Sequence, residues 1–154
     1  MQLIPLFKDK KVFTWTKVDD EDFYVLSNHR WRYEDGYAIR GRLTKRGFKT
    51  ISIHRFLLRP HRSRLCDHID GDKLNNQRSN LRVATRCQNA HNSKARSHSK
   101  QPYKGVRLMC GNWQARIRYH NKEIHLGTFS SPELARDAYH LAAKKYHGEF
   151  ARLA

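Results

Sequence analysis

The stretch SKARSHSKQP, residues 93–102, holds no apolar residue beyond Ala95 and ends in Pro102, so it cannot help to build a core. It reads as a basic linker between a part covering residues 1–92 and a part covering 103–154. Only 38% of the 154 residues are apolar, so each part buries a modest interior. A short sheet covered by one helix suits that composition better than one large core, and the fold class is α+β.

Lys and Arg number 31 against 14 Asp and Glu, a net charge of +17 that runs through the whole chain and peaks over its middle third. A basic tail would concentrate charge at one end, so the partner is a polyanion with an extended footprint. A membrane surface would need a helix with a broad apolar face, and none stands out. The start MQLIPLFKDKK lacks the apolar region of a signal peptide, and no apolar run spans a bilayer. Cys66, Cys87 and Cys110 form no CxxC pair, which argues against a zinc cluster or disulfide framework and for a reducing compartment. An intracellular, cytoplasmic protein is expected.

Residues 1 to about 55 read as mostly strands, KVFTW, YAIRGRL and FKTISIH, with turns at Gly36 and Gly47. One short helix, DDEDFYVLSN, can be capped by Asp19 or Asp20, and Trp15, Phe23, Leu26, Trp31 and Tyr37 are the expected core. Further on, LCDHI is a strand, DGDKLNNQRSN a polar loop, LRVA a return strand, and Thr85 an N-cap for the helix RCQNAHNSK. Beyond the linker, YKGVRLM, WQARIRYH and KEIHLGTF alternate as strands, with turns at Gly111-Asn112 and Asn121-Lys122. A helix then starts at Ser130, Ser131 or Pro132 and stops at Gly148. Leu134, Ala135, Ala138, Leu141, Ala142 and Tyr146 recur at helical spacing as its buried stripe.

Asp67-His68, followed at wider spacing by Asn80 and Asn89, carries the chemistry. Phosphodiester hydrolysis needs an activated water, neutralised phosphate charge and help for the leaving oxygen. A neutral His is a suitable base near pH 7, and a hard divalent ion can serve the other two needs. Asp67 and the Asn89 side-chain carbonyl are oxygen ligands suited to Mg²⁺ or Mn²⁺. Neighbouring strand residues point to opposite faces, so Asp67 and His68 require a distorted strand end or separate contacts with metal and water.

IHRFLL…CDHIDGDKLNNQRSNLRVATRCQN resembles the HNH nuclease family in its His-Asn-Asn variant, common among phage and intron homing endonucleases. The resemblance implies a ββα-metal finger in which His68 is the general base and Asn80 braces the loop that orients it. It implies one divalent metal ion, Mg²⁺ or Mn²⁺, on Asp67 and Asn89, and nicking rather than symmetrical cutting. Arg82, Arg86, Lys94 and Arg96 are candidate phosphate contacts, Asn92 supports Asn89, and His54 matches the family's upstream His-Arg pair with a structural role expected.

YKGVR, WQARIR, HLGTF and ELARDAYHLAAKKYHG resemble the plant ethylene-response-factor (apetala-type) DNA-binding domain over nearly all of residues 103–150. That resemblance implies a three-stranded antiparallel sheet packed on one helix and laid in the major groove of double-stranded DNA. Lys104, Arg107, Arg116, Arg118 and His125 are the matching contact positions; Trp113 and Ala115 are expected to pack on the helix. Glu123, Cys110 and His125 depart from the plant pattern, so the target sequence does not carry over. The two resemblances together imply a monomeric, metal-dependent DNA endonuclease of homing type, acting in a phage-infected or bacterial cell. A non-catalytic DNA-binding regulator is the alternative, and an RNA-directed protein a third possibility.

Overall fold

A computed structural model describes residues 1–45, 47–93, 101 and 103–153. The chain forms two compact units, Met1–Arg86 and Cys87–Ala154. Most of the expected linker, including Lys94 and Arg96, lies outside the described residues.

The first unit is built on five strands: β1 (Gln2–Lys8), β2 (Lys11–Val18), β3 (Trp31–Glu34), β4 (Tyr37–Thr44) and β5 (Gly47–Ser52). Their order is β2-β1-β3-β4-β5, antiparallel except for the parallel pair β1–β3. Helix α1 (Asp20–Ser27) carries the chain from β2 to β3. Asp9-Lys10 and Asp35-Gly36 turn the β1–β2 and β3–β4 hairpins with positive φ at both residues, the two-residue geometry whose twist matches that of the flanking strands. The first strand, LIPLF, was not foreseen because Pro5 interrupts its alternation.

Ile4, Leu6, Val18, Leu26, Trp31, Ala38 and Ile53 make the core. Each large apolar side chain fully buried contributes about 1.5–3 kcal/mol. Trp15, expected there, is half exposed. Strand alternation decides this: β2 turns Thr16 and Val18 inward, and Trp15 takes the opposite face. Asp19 occupies the N-cap position of α1 without capping it by its side chain. Its carboxylate instead accepts hydrogen bonds from the Gln77 amide (3.0 Å) and the Arg78 backbone N–H (2.7 Å). Sequence FKTISIH is strand only to Ser52, after which α2 (Ile53–Leu58) begins. The antiparallel hairpin of β6 (Leu65–His68) and β7 (Leu81–Ala84) completes the unit.

The second unit starts within α3 (Arg86–His91) and continues with β8 (Val106–Met109), β9 (Asn112–Tyr119), β10 (Lys122–Phe129) and α4 (Pro132–His147). The antiparallel order is β10-β9-β8. The turns fall at Cys110-Gly111 and His120-Asn121, one residue earlier than expected, because those residues take positive φ. Ser131 caps α4 by accepting from the Leu134 N–H, Pro132 follows it, and Gly148 ends the helix. Its buried stripe is Ala135, Tyr139, Ala142 and Ala143, packed on Val106, Ala115 and Ile117. Leu134 and Leu141 are exposed, contrary to expectation. Alanines let the helix approach the sheet closely, and the Tyr139 ring fills the space over Gly105.

Candidate functional site

The β6–β7 hairpin places Asp67 opposite Arg82 and His68 opposite Leu81. Asp67 and His68 are both buried, at 5% and 6% exposure, as polar residues are only when held by partners. Asp67 accepts the Arg82 guanidinium on Oδ2, with Nε at 2.9 Å and a second nitrogen at 2.8 Å. Arg82, a candidate for phosphate contact, is therefore engaged with the carboxylate across the hairpin.

His68 turns the other way. Its Nε2 meets the Asn76 side-chain carbonyl at 3.2 Å. Asn76 is 1% exposed and donates its amide to Thr16 Oγ1 (2.8 Å) and to the Lys73 carbonyl (3.3 Å). Thr16 in turn donates to the Leu74 carbonyl at 2.7 Å. Backbone bonds between Lys17 and Leu74 and between Asn76 and Lys17 tie the same loop to β2. The imidazole is thus held through a loop fastened to the sheet of the first unit.

The loop also braces itself. Asn80 accepts from the Asp70 N–H (3.0 Å) and donates to Asp70 Oδ1 (2.9 Å) and the Asn75 carbonyl (2.8 Å). Asp70 takes a further bond from the Asn75 amide. Although burial opposes it, the hydrogen bonds from Asn75, the Asp72 N–H and Asn80 hold the Asp70 carboxyl below its ordinary range. Arg78 anchors the far end by a two-pronged bond to Asp22 on α1 (2.8 and 2.7 Å).

Burial pushes the His68 pKa down, and the Asn76 bond and the Asp70, Asp67 and Asp72 carboxylates oppose it without reversing it. The imidazole is neutral near pH 7, the form that can accept a proton. His54, on α2, packs its ring edge-on to His68 at 5.0 Å and bonds Ser52 through Nε2 (2.9 Å). Burial, then the His68 and Arg55 charges, lowers its pKa to about 3. Tyr37 covers both rings, at 5.4 and 6.4 Å.

Asn89 lies half-buried on α3 and belongs to the second unit, as does the buried Asn92; Arg86, exposed, opens the helix. Among the described residues, no group of three His, Cys, Asp or Glu side chains could hold a metal ion. A carboxylate and an amide oxygen are nevertheless ligands that a hard ion accepts. Asn76, Thr16 and Tyr37 were missed by sequence reasoning. Asn75 and Asn76 look alike in the sequence, and only folding buries one of them.

In the second unit, Gln114, Arg116 and Arg118 alternate on β9 with Trp113, Ala115 and Ile117, which pack with α4. Arg107 stands opposite Gln114, and His125 opposite Arg116. Gln114 Oε1 accepts from Arg107 (3.2 Å) and Arg116 (3.0 Å), and Arg116 pairs with Glu123. Arg118 and His125 are exposed. Lys104 is engaged elsewhere: its ammonium donates to the carbonyls of Ala90, His91 and Ser93 at the end of α3. Burial, then the Arg152 charge, lowers its pKa.

Residues 66–91, from the strand carrying Asp67-His68 through α3, match the HNH endonuclease family. Over 154 residues, 95% of this chain and 76% of the relative, the chain is 30% identical to an uncharacterized HNH endonuclease of Acanthamoeba polyphaga mimivirus. The chain belongs to the HNH endonuclease family. It is a nuclease, an enzyme that hydrolyses phosphodiester bonds. A second similarity, 45% identity over 56 residues, is to an ethylene-responsive transcription factor of Arabidopsis thaliana; it covers 34% of this chain and 30% of the plant protein. No solved structure matches. No helix among the described residues is long and apolar enough to cross a membrane.

Proposed function

We propose that this HNH nuclease is a homing-type enzyme that nicks double-stranded DNA with His68 as general base, and that the β8–β9–β10 sheet positions it in the major groove. The observation that carries the reading is a buried, neutral imidazole aimed by Asn76, beside a carboxylate fixed by Arg82, inside the family match. His68 takes a proton from the attacking water, and Asn80 keeps the Asp70–Asn75 loop in shape around it. Asp67 and Asn89 are the side chains that would hold one Mg²⁺ or Mn²⁺. When bound, such an ion neutralises phosphate charge and assists the leaving oxygen.

Arg107, Arg116, Arg118 and His125 are the side chains assigned to DNA on the sheet, since Arg forks fit guanine edges and phosphates alike. The plant similarity supports that role. Lys104 is assigned to holding α3. The chain acts as a monomer inside a cell. The test is strand-break mapping on duplex DNA in Mg²⁺ and Mn²⁺. His68→Ala should lower cleavage by about 10²–10⁴-fold, the usual worth of a general base, with DNA affinity retained. Cleavage unchanged in that variant, or gel shifts by the wild type without breaks in either metal, overturns the assignment.

A further inference from the structure

Four arginines gather around one cleft in the first unit. Arg40 and Arg42 alternate along β4, so both lie on the face that also carries the buried Ala38. Arg55 and Arg59 stand one helical turn apart, the first on α2 and the second at its C-cap. Together with Ile51 and Phe56 they line a cleft of about 560 Å³. Among the described residues, none of the four forms an ion pair, whereas Arg78, Arg82, Arg116 and Arg136 each do.

Arg42 and Arg59 are exposed, Arg55 is half-buried, and Arg40 departs furthest from an ordinary surface arginine. The Arg40 guanidinium packs over the rings of Trp31 and Phe56, 5.4 Å from each, and its buried Nε has no hydrogen-bond partner among the described residues. Burial, and then the Arg42 charge, lowers the Arg40 pKa. Converging like charges with an orphaned donor cost stability unless an anion joins them. Planar guanidinium forks match phosphate oxygens two at a time, and arginine tolerates partial desolvation better than lysine. Four guanidinium forks line this one half-open cleft beside Ile51 and Phe56, enough for several phosphate contacts rather than one. Helix α2 also carries His54, whose ring packs on His68.

We propose that Arg40, Arg42, Arg55 and Arg59 form a binding cleft for the sugar–phosphate backbone of duplex DNA, on the unit that carries His68. The choice of duplex DNA rests on the proposed duplex-nicking function; the phosphate chemistry does not. In this role α2 couples grip to chemistry, since one face holds backbone and another supports the imidazole.

The test uses the full chain and a fluorescent duplex in EDTA, so that binding is read without cleavage. Arg55→Gln/Arg59→Gln is compared with Lys8→Gln/Lys11→Gln, an equal loss of charge on the β1–β2 hairpin of the same unit. The arginine pair should weaken binding about tenfold, against less than about threefold for the lysine pair. Its salt dependence should fall by about 1.8, for two lost phosphate contacts. Equal losses in the two variants, or no loss in the arginine pair, overturn the proposal. If melting shows the glutamine variant unfolded, Arg55→Lys/Arg59→Lys keeps the charge and loses the forks; wild-type affinity there also overturns it. A wild type that never cleaves duplex DNA, together with the arginine-specific loss, would refute the proposed duplex-nicking function and leave the cleft standing.

Discussion

Around His68, Asn76, Thr16, Asp70 and Asn80 hold one another through buried or half-buried bonds; on the outer face of β8–β9–β10, two arginines share one Gln114 amide, and Arg118 and His125 are exposed. The first arrangement fixes atoms before any substrate arrives, which acid–base chemistry requires. The second leaves polar and charged side chains with few protein bonds, which the proposed function would exchange for DNA. Polar side chains of similar kinds thus serve as scaffold in one unit and as an exchangeable surface in the other. Burial makes the difference, because an orphaned group inside costs far more than one in water.

Asn76→Leu is the strongest way to break this contrast. It removes the partner of His68 and one partner of Thr16 at a site 1% exposed. We expect a loss of about 3 kcal/mol in urea unfolding, together with lower cleavage. A variant as stable and active as the wild type would show that the network does not hold the imidazole. In the second unit the sensitive point is packing. A Cβ at Gly105, where φ is +73°, would lie 2.2 Å from the Tyr139 ring and 2.6 Å from the Arg116 carbonyl. Gly105→Ala should cost about 2 kcal/mol through overpacking and strain. Gly111→Ala, at a similar φ but with open space around it, should cost about 1 kcal/mol. Equal costs at the two glycines would remove packing from the explanation.

Acid sharpens the contrast further. The His54 pKa falls from 6.5 in the unfolded chain to about 3 in the fold, so between those values the unfolded state binds more protons. Its contribution is flat above pH 6.5, and stability declines as the pH falls through that window, by about tenfold in the folding constant per pH unit. His54→Phe keeps a ring there and should flatten the slope in urea midpoints measured from pH 7 to 4; an unaltered slope would assign the acid lability to other groups. The smallest effect is expected at the exchangeable surface. Arg116→Gln should leave stability within about 0.5 kcal/mol and reduce the salt dependence of DNA binding by about 0.9. A stability loss comparable to that of Asn76→Leu would mean that this face, too, is scaffold.

The hairpin strands β6 and β7 and the helix α4 were legible because their signals are local: short alternating runs, Ser131-Pro132 at one helix end and Gly148 at the other. Trp15, Leu134 and Leu141 were misplaced because hydrophobicity does not state which of two faces turns inward. The start of α2 at Ile53 was hidden for a related reason, since an apolar run such as ISIHRFLL fits a strand or a helix. Around the site, Asp67, His68 and Asn80 stood out by spacing. Asn76 did not, since its importance lies in meeting Thr16, sixty residues away along the chain.

The sequence by itself determined an α+β chain of small modules, a basic surface, and the residue types that phosphodiester chemistry requires. It also determined the endpoints of α4, since caps and breakers act within a few residues. Tertiary structure alone decided which asparagine aims His68, that Arg82 is engaged with Asp67, that Lys104 closes the end of α3, and that four arginines line one cleft. Those outcomes depend on partners distant in sequence, and a side chain's chemistry is set by what folding brings within about 3 Å of it.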